Sequence, residues 1–227
     1  MKRIIKLSAL FIVFSNCVVA QHKSDSNATS FKNPPVSAEF FVGGKYTTFQ
    51  NFITKRFSEK SPLSLYNIAV YNAGYDRKQS PEVDIQTLVT AKIWKGFTAG
   101  PGVLTTSNSF NPIVGLKHVY SSKVFSSTIV PVMIFTSQKP QQTILFIAQY
   151  RPALTSKVKL YSRIQLFGTF QDFQQYSYIY EQLRLGLDTK KTQFGIGITF
   201  QQIQYVNNET PFSNPNIGVF IRKELFN

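Results

Sequence analysis

The chain has 227 residues, enough for one β-barrel or β-sandwich with a sizeable core. Charged residues make up 16% of it, against about 25% in ordinary soluble domains. Aromatic residues reach 15%, and low charge combined with many Phe and Tyr residues favours a surface that meets lipid. The net charge is +14, and loss of Lys2, Arg3 and Lys6 with an export signal would lower it to +11. Export argues against nucleic acid as the partner of this basic chain.

The first twenty residues have the pattern of a cleaved signal peptide. Three cations precede an apolar run over residues 7–14. Val18 and Ala20 then occupy the −3 and −1 positions of a small-residue cleavage site, so we expect cleavage between Ala20 and Gln21. The apolar run is too short to remain as a membrane span. Residues 1–20 are therefore predicted to direct export.

Residues 21–36 are polar, lack periodicity and contain Pro34 and Pro35 near their end. This composition predicts a flexible leader in the periplasm. We assign the remainder, residues 37–227, to a β-barrel domain.

The barrel domain consists of β-type segments of roughly ten residues. In one of them Phe194, Ile196 and Ile198 alternate with polar or small residues, which indicates one dry and one wet face. The predicted segments are 47–57, 62–75, 81–93, 96–106, 112–120, 124–136, 142–153, 157–170, 177–188, 191–204 and 215–226. The short stretch Phe40–Val42 is a candidate twelfth strand, and even strand numbers are usual for bacterial barrels.

The connections between these segments alternate between short polar turns and longer loops. That order is typical of the periplasmic and extracellular ends of an outer-membrane barrel, whereas the Greek-key connections of a sandwich mix both lengths. The sequence therefore predicts an all-β fold, an antiparallel up-and-down transmembrane β-barrel of about 10–12 strands. The expected location is the outer membrane. The apolar residues Leu225 and Phe226 in the last strand are candidates for a C-terminal assembly signal, although Asn227 follows them.

Three stretches resemble a known group of proteins: the signal ending in Ala-Gln, the segment RFSEKSPLSLYNIAVYNAGY and the ending NIGVFIRKEL. They are similar to uncharacterised outer-membrane β-barrel proteins of Bacteroidota. The similarity covers most of residues 45–225, and its motifs are strand-and-turn patterns of low specificity. The resemblance implies a fold and a location, and it implies no activity or functional residue.

The predicted wet face is the most informative polar set, because it would line the lumen. The charged candidates are Glu82, Asp84, Lys92, Lys117, Arg151, Lys159, Arg163, Arg184 and Arg222. Charges inside a small barrel are costly unless they are paired or hydrated. Two interpretations remain open, a lumen cross-braced by ion pairs without a pore, or a narrow water-filled channel with a cationic bias.

No residue set identifies a reaction. His118 shares a predicted lipid-facing side of its strand with Val114 and Leu116, so an interfacial role is favoured over a catalytic one. No mature cysteine and no pair of histidines at ligand spacing point to a metal, and no cofactor is expected.

We therefore expect an integral outer-membrane barrel that is not an enzyme and acts as a structural protein or a narrow, porin-like passive channel. The expected partners are outer-membrane lipid, lipopolysaccharide and the barrel assembly machinery, and the oligomeric state stays open. Two alternatives belong to other classes. One is a lipid-modifying barrel enzyme of the outer membrane. The other is a soluble periplasmic barrel whose dry face points inward around an apolar ligand.

Overall fold

The computed structural model describes residues 33–76, 80–137, 139–171, 175–203 and 212–225. Within these ranges the chain forms twelve strands. They are β1 (Val36–Gly43), β2 (Tyr46–Arg56), β3 (Leu63–Gly74), β4 (Glu82–Trp94), β5 (Phe97–Thr106), β6 (Phe110–Ser121), β7 (Phe125–Ile134), β8 (Gln141–Tyr150), β9 (Lys159–Gln171), β10 (Gln175–Thr189), β11 (Thr192–Ile203) and β12 (Phe212–Leu225). No helix in the described ranges is long and apolar enough to cross a membrane.

The twelve strands form one closed barrel. Each pairs antiparallel with the next strand along the chain, and β1 also pairs with β12. The prediction of an all-β up-and-down barrel is confirmed, with a strand count at the upper end of the expected range. The predicted signal peptide, with Ala20 and Gln21, lies outside the described residues, and so does Phe226.

The closing strand β1 is longer than the predicted Phe40–Val42. It begins at Val36, inside the range expected for the leader, and it alternates along its whole length. Ser37, Glu39 and Phe41 are buried on its inner side. Phe41 places an apolar side chain on this otherwise polar side, so Phe40–Val42 is a continuous apolar run that obscures the alternation.

The end of the predicted leader is attached to the barrel wall. The Asn33 side chain donates a hydrogen bond to the Arg56 carbonyl oxygen at 3.1 Å and accepts one from the Arg56 N–H at 2.7 Å. The Lys55 ammonium donates to the Pro34 carbonyl oxygen at 2.8 Å. These bonds fix the chain at the point where it enters β1.

The apolar face of the wall points outward. Ile196 is 62% exposed and Ile217 is 69% exposed, whereas Gln193 and Arg184 on the opposite face are fully buried. A soluble protein hides such side chains, and a barrel in lipid presents them. The orientation in β10–β12 is the reverse of the one that the soluble alternative requires.

The barrel has two ends that can be told apart by the chain termini. We call the end with Val36 and Leu225 the proximal end and the other the distal end. The proximal turns are 57–62, 95–96, 122–124, 151–158 and 190–191, and the distal connections are 44–45, 75–81, 107–109, 135–140, 172–174 and 204–211. The expected contrast of short proximal turns and long distal loops therefore holds only in part.

The clearest exception is the proximal turn 151–158. The predicted strand 142–153 ends at Tyr150, because Pro152 has no N–H to continue the ladder. Beyond it the chain folds back through hydrogen bonds from the Leu154 and Thr155 N–H groups to the Val158 carbonyl oxygen. Arg151 consequently lies in this turn and not on a strand.

Candidate functional site

The inside of the barrel is divided into an apolar and a polar half. Strands β3–β8 supply the apolar half through one group of buried side chains, which we call the apolar cluster. Its members are Tyr66, Ile68, Leu88, Leu104, Ile113, Val130, Val132, Ile134, Leu145 and Ile147. Strands β9–β12, β1 and β2 supply the polar half. Close-packed apolar side chains leave little room for water. Two members of the cluster, Ile68 and Leu145, also line a cavity, so this half is packed over only part of its length.

The centre of the polar half is a charged group that we call the arginine cluster, formed by Glu39, Arg163, Arg184 and Arg222. One carboxylate oxygen of Glu39 accepts a hydrogen bond from Arg163 Nη2 at 2.8 Å and another from Arg184 Nε at 3.0 Å. Both of these arginine side chains are 0% exposed. Arg222 Nη2 donates to the Ser37 hydroxyl at 2.7 Å. Two guanidinium groups thus bind one carboxylate oxygen, and the third is held by the neighbouring Ser37.

The strand register brings these charges together. Arg163 lies directly opposite Arg184 in the β9–β10 pair, and Arg222 lies opposite Glu39 in the β12–β1 pair. Like charges directly opposite each other destabilise a sheet, so Glu39 has to offset the first pair. Gly197 makes the arrangement possible, because a Cβ atom there would lie 2.6 Å from the Arg184 Cδ atom.

Several hydrogen bonds cross the lumen between strands that are not neighbours. Glu39 on β1 binds Arg163 on β9, and Gln50 Nε2 on β2 donates to Gln165 Oε1 on β9 at 3.2 Å. Gln50 and Gln165 are both buried, at 0% and 1% exposure. These contacts join opposite walls and brace the barrel across its width.

A second ion-pair group lies at the proximal end. Arg151 Nη1 contacts Glu224 Oε1 at 2.7 Å and Asp188 Oδ2 at 3.4 Å. Burial by itself would lower the pKa of the Arg151 guanidinium, but the two carboxylates raise it above its ordinary value. Gln193 donates to the other Asp188 oxygen at 3.1 Å. We call Arg151, Asp188 and Glu224 the proximal bridge, since it ties the β8–β9 turn to β10 and β12.

The distal end holds a cavity of about 410 Å³, which we call the distal cavity. Glu82 and Asp84 of β4 line one side of it, and Tyr178 of β10 lines another. Glu82 Oε2 accepts a hydrogen bond from Gln201 Nε2 at 3.3 Å, which again joins two strands that are not neighbours. Gln165 is also among the lining residues, so the lumen-crossing bond described above lies at the inner limit of this space.

The nine charged residues expected on the wet face are therefore found in different places. Arg163, Arg184 and Arg222 meet in the arginine cluster, Glu82 and Asp84 line the distal cavity, and Arg151 forms the proximal bridge from a turn. Lys117 is 3% exposed and lies apart from the other cations, with its ammonium 5.0 Å above the Tyr66 ring.

Lys92 and Lys159 do not line the enclosed lumen and are exposed at the proximal end. Lys159 is the first residue of β9, and Lys92 lies beside an irregularity in the β4–β5 pairing. The alternation of side chains predicts which face of a strand points into the lumen. It does not show at which residue along the strand that face becomes open to water.

The sequence interpretation missed Glu39, Ser37 and Asp188. Glu39 and Ser37 lie on the strand that was predicted too short, although Ala38, Phe40 and Val42 alternate with them and could have revealed it. Asp188 is the last residue of the predicted segment 177–188 but was not among the lumen candidates, whereas it is 4% exposed near the end of β10.

His118 packs against an aromatic ring at the β5–β6 pair. Its ring centroid lies 4.3 Å from that of Phe97, and it shares a face with the outward Val114 and Leu116. Among the described residues no group of three or more His, Cys, Asp or Glu side chains could hold a metal ion.

Fold and lumen together define the class: a closed antiparallel β-barrel with an apolar outer wall and a braced polar interior. No family model matches the chain, and no curated sequence matches it. Among solved structures it is similar to NanC porin, with 14% identity, a TM-score of 0.48, and coverage of 84% of this chain and 98% of that one. An outer membrane channel from Pseudomonas putida F1 has 9% identity and a TM-score of 0.40, over 89% and 99%.

LpxR from Salmonella typhimurium is a further match, with 5% identity, a TM-score of 0.40, and coverage of 84% of this chain and 99% of that one. No functional residue is transferred from these proteins. The resemblance to barrel proteins of Bacteroidota is not tested by them and stays a prediction.

Proposed function

We propose that the chain is an integral outer-membrane barrel with a structural role, whose lumen does not conduct ions in its resting state. The observation that carries this proposal is the complete burial of Arg163 and Arg184 at 0% exposure. In a water-filled pore, lumen-facing guanidinium groups would be in contact with solvent. The apolar cluster and the lumen-crossing hydrogen bonds support the same conclusion.

The test is ion conductance of the purified barrel in a planar lipid bilayer. We expect no stable conductance from the unmodified protein. A steady, reproducible conductance would contradict the proposal. An outer-membrane porin of known conductance in the same bilayer gives the positive control.

A second candidate function is a narrow channel for small anions, which the excess of three arginines over one carboxylate favours. A cationic constriction selects anions by charge. If conductance is found, anion selectivity that falls in Arg222→Gln would support this candidate. Conductance without selectivity would exclude it.

Among the described residues, exposed cations are concentrated at the proximal end. They are Arg56, Lys60, Lys92, Lys95, Lys123, Lys157, Lys159, Lys190, Lys191 and Lys223. The exposed lysines of the described distal residues are Lys45 and Lys139. Since the predicted leader enters from the periplasm, we propose that the proximal cations contact anionic phospholipid headgroups of the inner leaflet. The expected contacts with lipopolysaccharide then fall to the distal end, where Lys45 and Lys139 are the exposed lysines of the part of the chain that the structure describes.

A further inference from the structure

The arginine cluster carries more positive charge than its carboxylate can neutralise. Arg163, Arg184 and Arg222 are 0%, 0% and 6% exposed, and Glu39 supplies one negative charge among them. Two uncompensated charges in a site of low dielectric constant are costly, because each loses the hydration it had in water.

The unused hydrogen-bond donors of the cluster point to what is missing. Arg163 and Arg222 each have an Nε and an Nη1 atom that is buried without a hydrogen-bond partner, and Arg184 has a buried Nη2 atom in the same condition. A guanidinium group donates and cannot accept, so only an acceptor can satisfy these five N–H-bearing atoms. The second oxygen of Glu39 is also without a partner, so the carboxylate does not reach them all.

Two of the three arginines share one neighbourhood. The guanidinium carbons of Arg163 and Arg222 lie 5.9 Å and 5.4 Å from the centre of the Phe52 ring. Arg184 lies over a different ring, 4.1 Å from the centre of Phe41. Arg163 and Arg222 therefore lie beside the same ring, with their side chains extending from β9 and β12.

We propose that the arginine cluster binds one small inorganic monoanion, of the size of chloride, between Arg163 and Arg222. The excess positive charge of the cluster requires a negatively charged ligand. The unpartnered N–H groups require a ligand that accepts hydrogen bonds. The packing of the surrounding interior limits its size, because Phe41 and Phe220 lie beside Arg184 and are buried together with Tyr161 at 0–3% exposure. One anion lowers the excess charge from two to one, and the face of Phe41 stabilises the remaining guanidinium.

This inference goes beyond the structural role proposed above and shares with it the burial of Arg163 and Arg184. A barrel that conducts would refute the resting closure and leave the anion site standing. A barrel that does not conduct and has no anion dependence would refute the site and leave the closure standing.

The experiment is a denaturant titration of the detergent-solubilised full chain at constant sodium concentration, with chloride replacing gluconate stepwise. Gluconate is too large for the packed cluster. A bound anion stabilises the folded state with saturation, so the unfolding equilibrium constant should fall about tenfold at a chloride concentration about ten times its dissociation constant. Equal unfolding curves in chloride and gluconate would overturn the proposal.

Two variants separate the cluster from a general salt effect. Arg222→Gln removes one wall of the site and should abolish the difference between chloride and gluconate. Lys117→Gln is the matched control, since Lys117 is another buried cation of the lumen that lies over Tyr66 and not beside Phe52. It should keep the full chloride dependence, and a loss in Lys117→Gln equal to that in Arg222→Gln would contradict the assignment.

If Arg222→Gln fails to fold, a second measurement tests the anion site in the unmodified protein. Crystals of the unmodified protein grown in bromide should give an anomalous peak within hydrogen-bond distance of the Arg163 and Arg222 guanidinium groups. Ordered water alone at that position would overturn the proposal.

Discussion

At the scale of single residues, Glu39 has the largest influence on the stability of the lumen. It is 2% exposed and accepts hydrogen bonds from two fully buried arginines. Glu39→Gln removes the charge with little change in shape, and breaking a buried ion pair in this way costs about 3–5 kcal/mol. We expect a loss of that size in the free energy of unfolding, measured by urea denaturation in lipid vesicles.

The control for this variant is Glu59→Gln, because Glu59 is an exposed carboxylate in the turn between β2 and β3. A surface substitution of this kind changes stability by no more than about 0.5 kcal/mol. If the two variants were equally stable, Glu39 would not be the carboxylate on which the buried arginines depend.

Gly96 is a second position at which one residue determines local structure. Its φ angle is 72°, and a Cβ atom there would lie 2.7 Å from the Val119 carbonyl oxygen. Gly96→Ala should therefore lower the free energy of unfolding by about 1–2 kcal/mol. Gly44→Ala is the matched change in another two-residue turn, where the nearest atom is 3.9 Å away, and it should be nearly neutral. Equal losses of unfolding free energy in the two variants would exclude backbone strain at residue 96 as the cause of the destabilisation.

At the scale of strands, the alternation of side chains predicts which face meets lipid. Ile196 and Ile93 are exposed to the same degree, 62% and 63%, but Ile196 lies well inside β11 and Ile93 lies at the proximal end of β4. An arginine facing lipid costs about 2–4 kcal/mol at the midplane of the bilayer and about 0–1 kcal/mol near its interface. Ile196→Arg should therefore destabilise the barrel in vesicles far more than Ile93→Arg.

A water-exposed wall would give a different result. Both substitutions would then replace an exposed isoleucine by a soluble side chain, and both would be close to neutral in urea unfolding. Equal, small effects of the two arginines would thus contradict the assignment of the outer wall to lipid.

Individual strands show which parts of this fold can be predicted from the sequence and which cannot. Clean alternation in residues 191–204 located β11 to within about one residue at each end, because a half-buried strand has one apolar face. Alternation does not give the partner of Glu39, because an ion pair formed across the barrel by residues 124 positions apart leaves no local pattern. It also failed after Tyr150, where Arg151 and Pro152 begin a turn and Arg151 forms the proximal bridge. The partners of lumen charges depend on register and closure, which single strands do not encode.

At the scale of the whole molecule, the distribution of charge distinguishes the two ends. Replacing Lys95, Lys123 and Lys190 of the proximal turns by Gln should reduce the stabilisation that phosphatidylglycerol gives over phosphatidylcholine in vesicles. Each lysine near an anionic surface contributes about 1 kcal/mol to the attraction. The comparison is the Gln variant of Lys45 and Lys139, the exposed lysines of the described distal residues, in vesicles with the same lipid in both leaflets.

The result depends on where the charges lie relative to the apolar wall. Exposed aromatic residues, Phe57 at 61% and Trp94 at 66%, accompany the lysines at the proximal end and anchor that end in the lipid interface. The stabilisation by phosphatidylglycerol that is lost per lysine should be larger for the proximal lysines than for the distal ones. An equal loss would contradict the proposed preference of the proximal end for anionic phospholipid.

The central claim is that this chain forms a closed β-barrel inserted in the outer membrane. Its most direct test is the gel mobility of the protein extracted with detergent from isolated outer membranes, compared with and without heating. A closed barrel keeps its hydrogen-bonded ladder in unheated detergent, so we predict a compact band that shifts to the mobility of the unfolded 25.8 kDa chain, or slightly less after signal removal, only after boiling. Recovery of the protein in the soluble periplasmic fraction, with the same mobility before and after heating, would contradict the account.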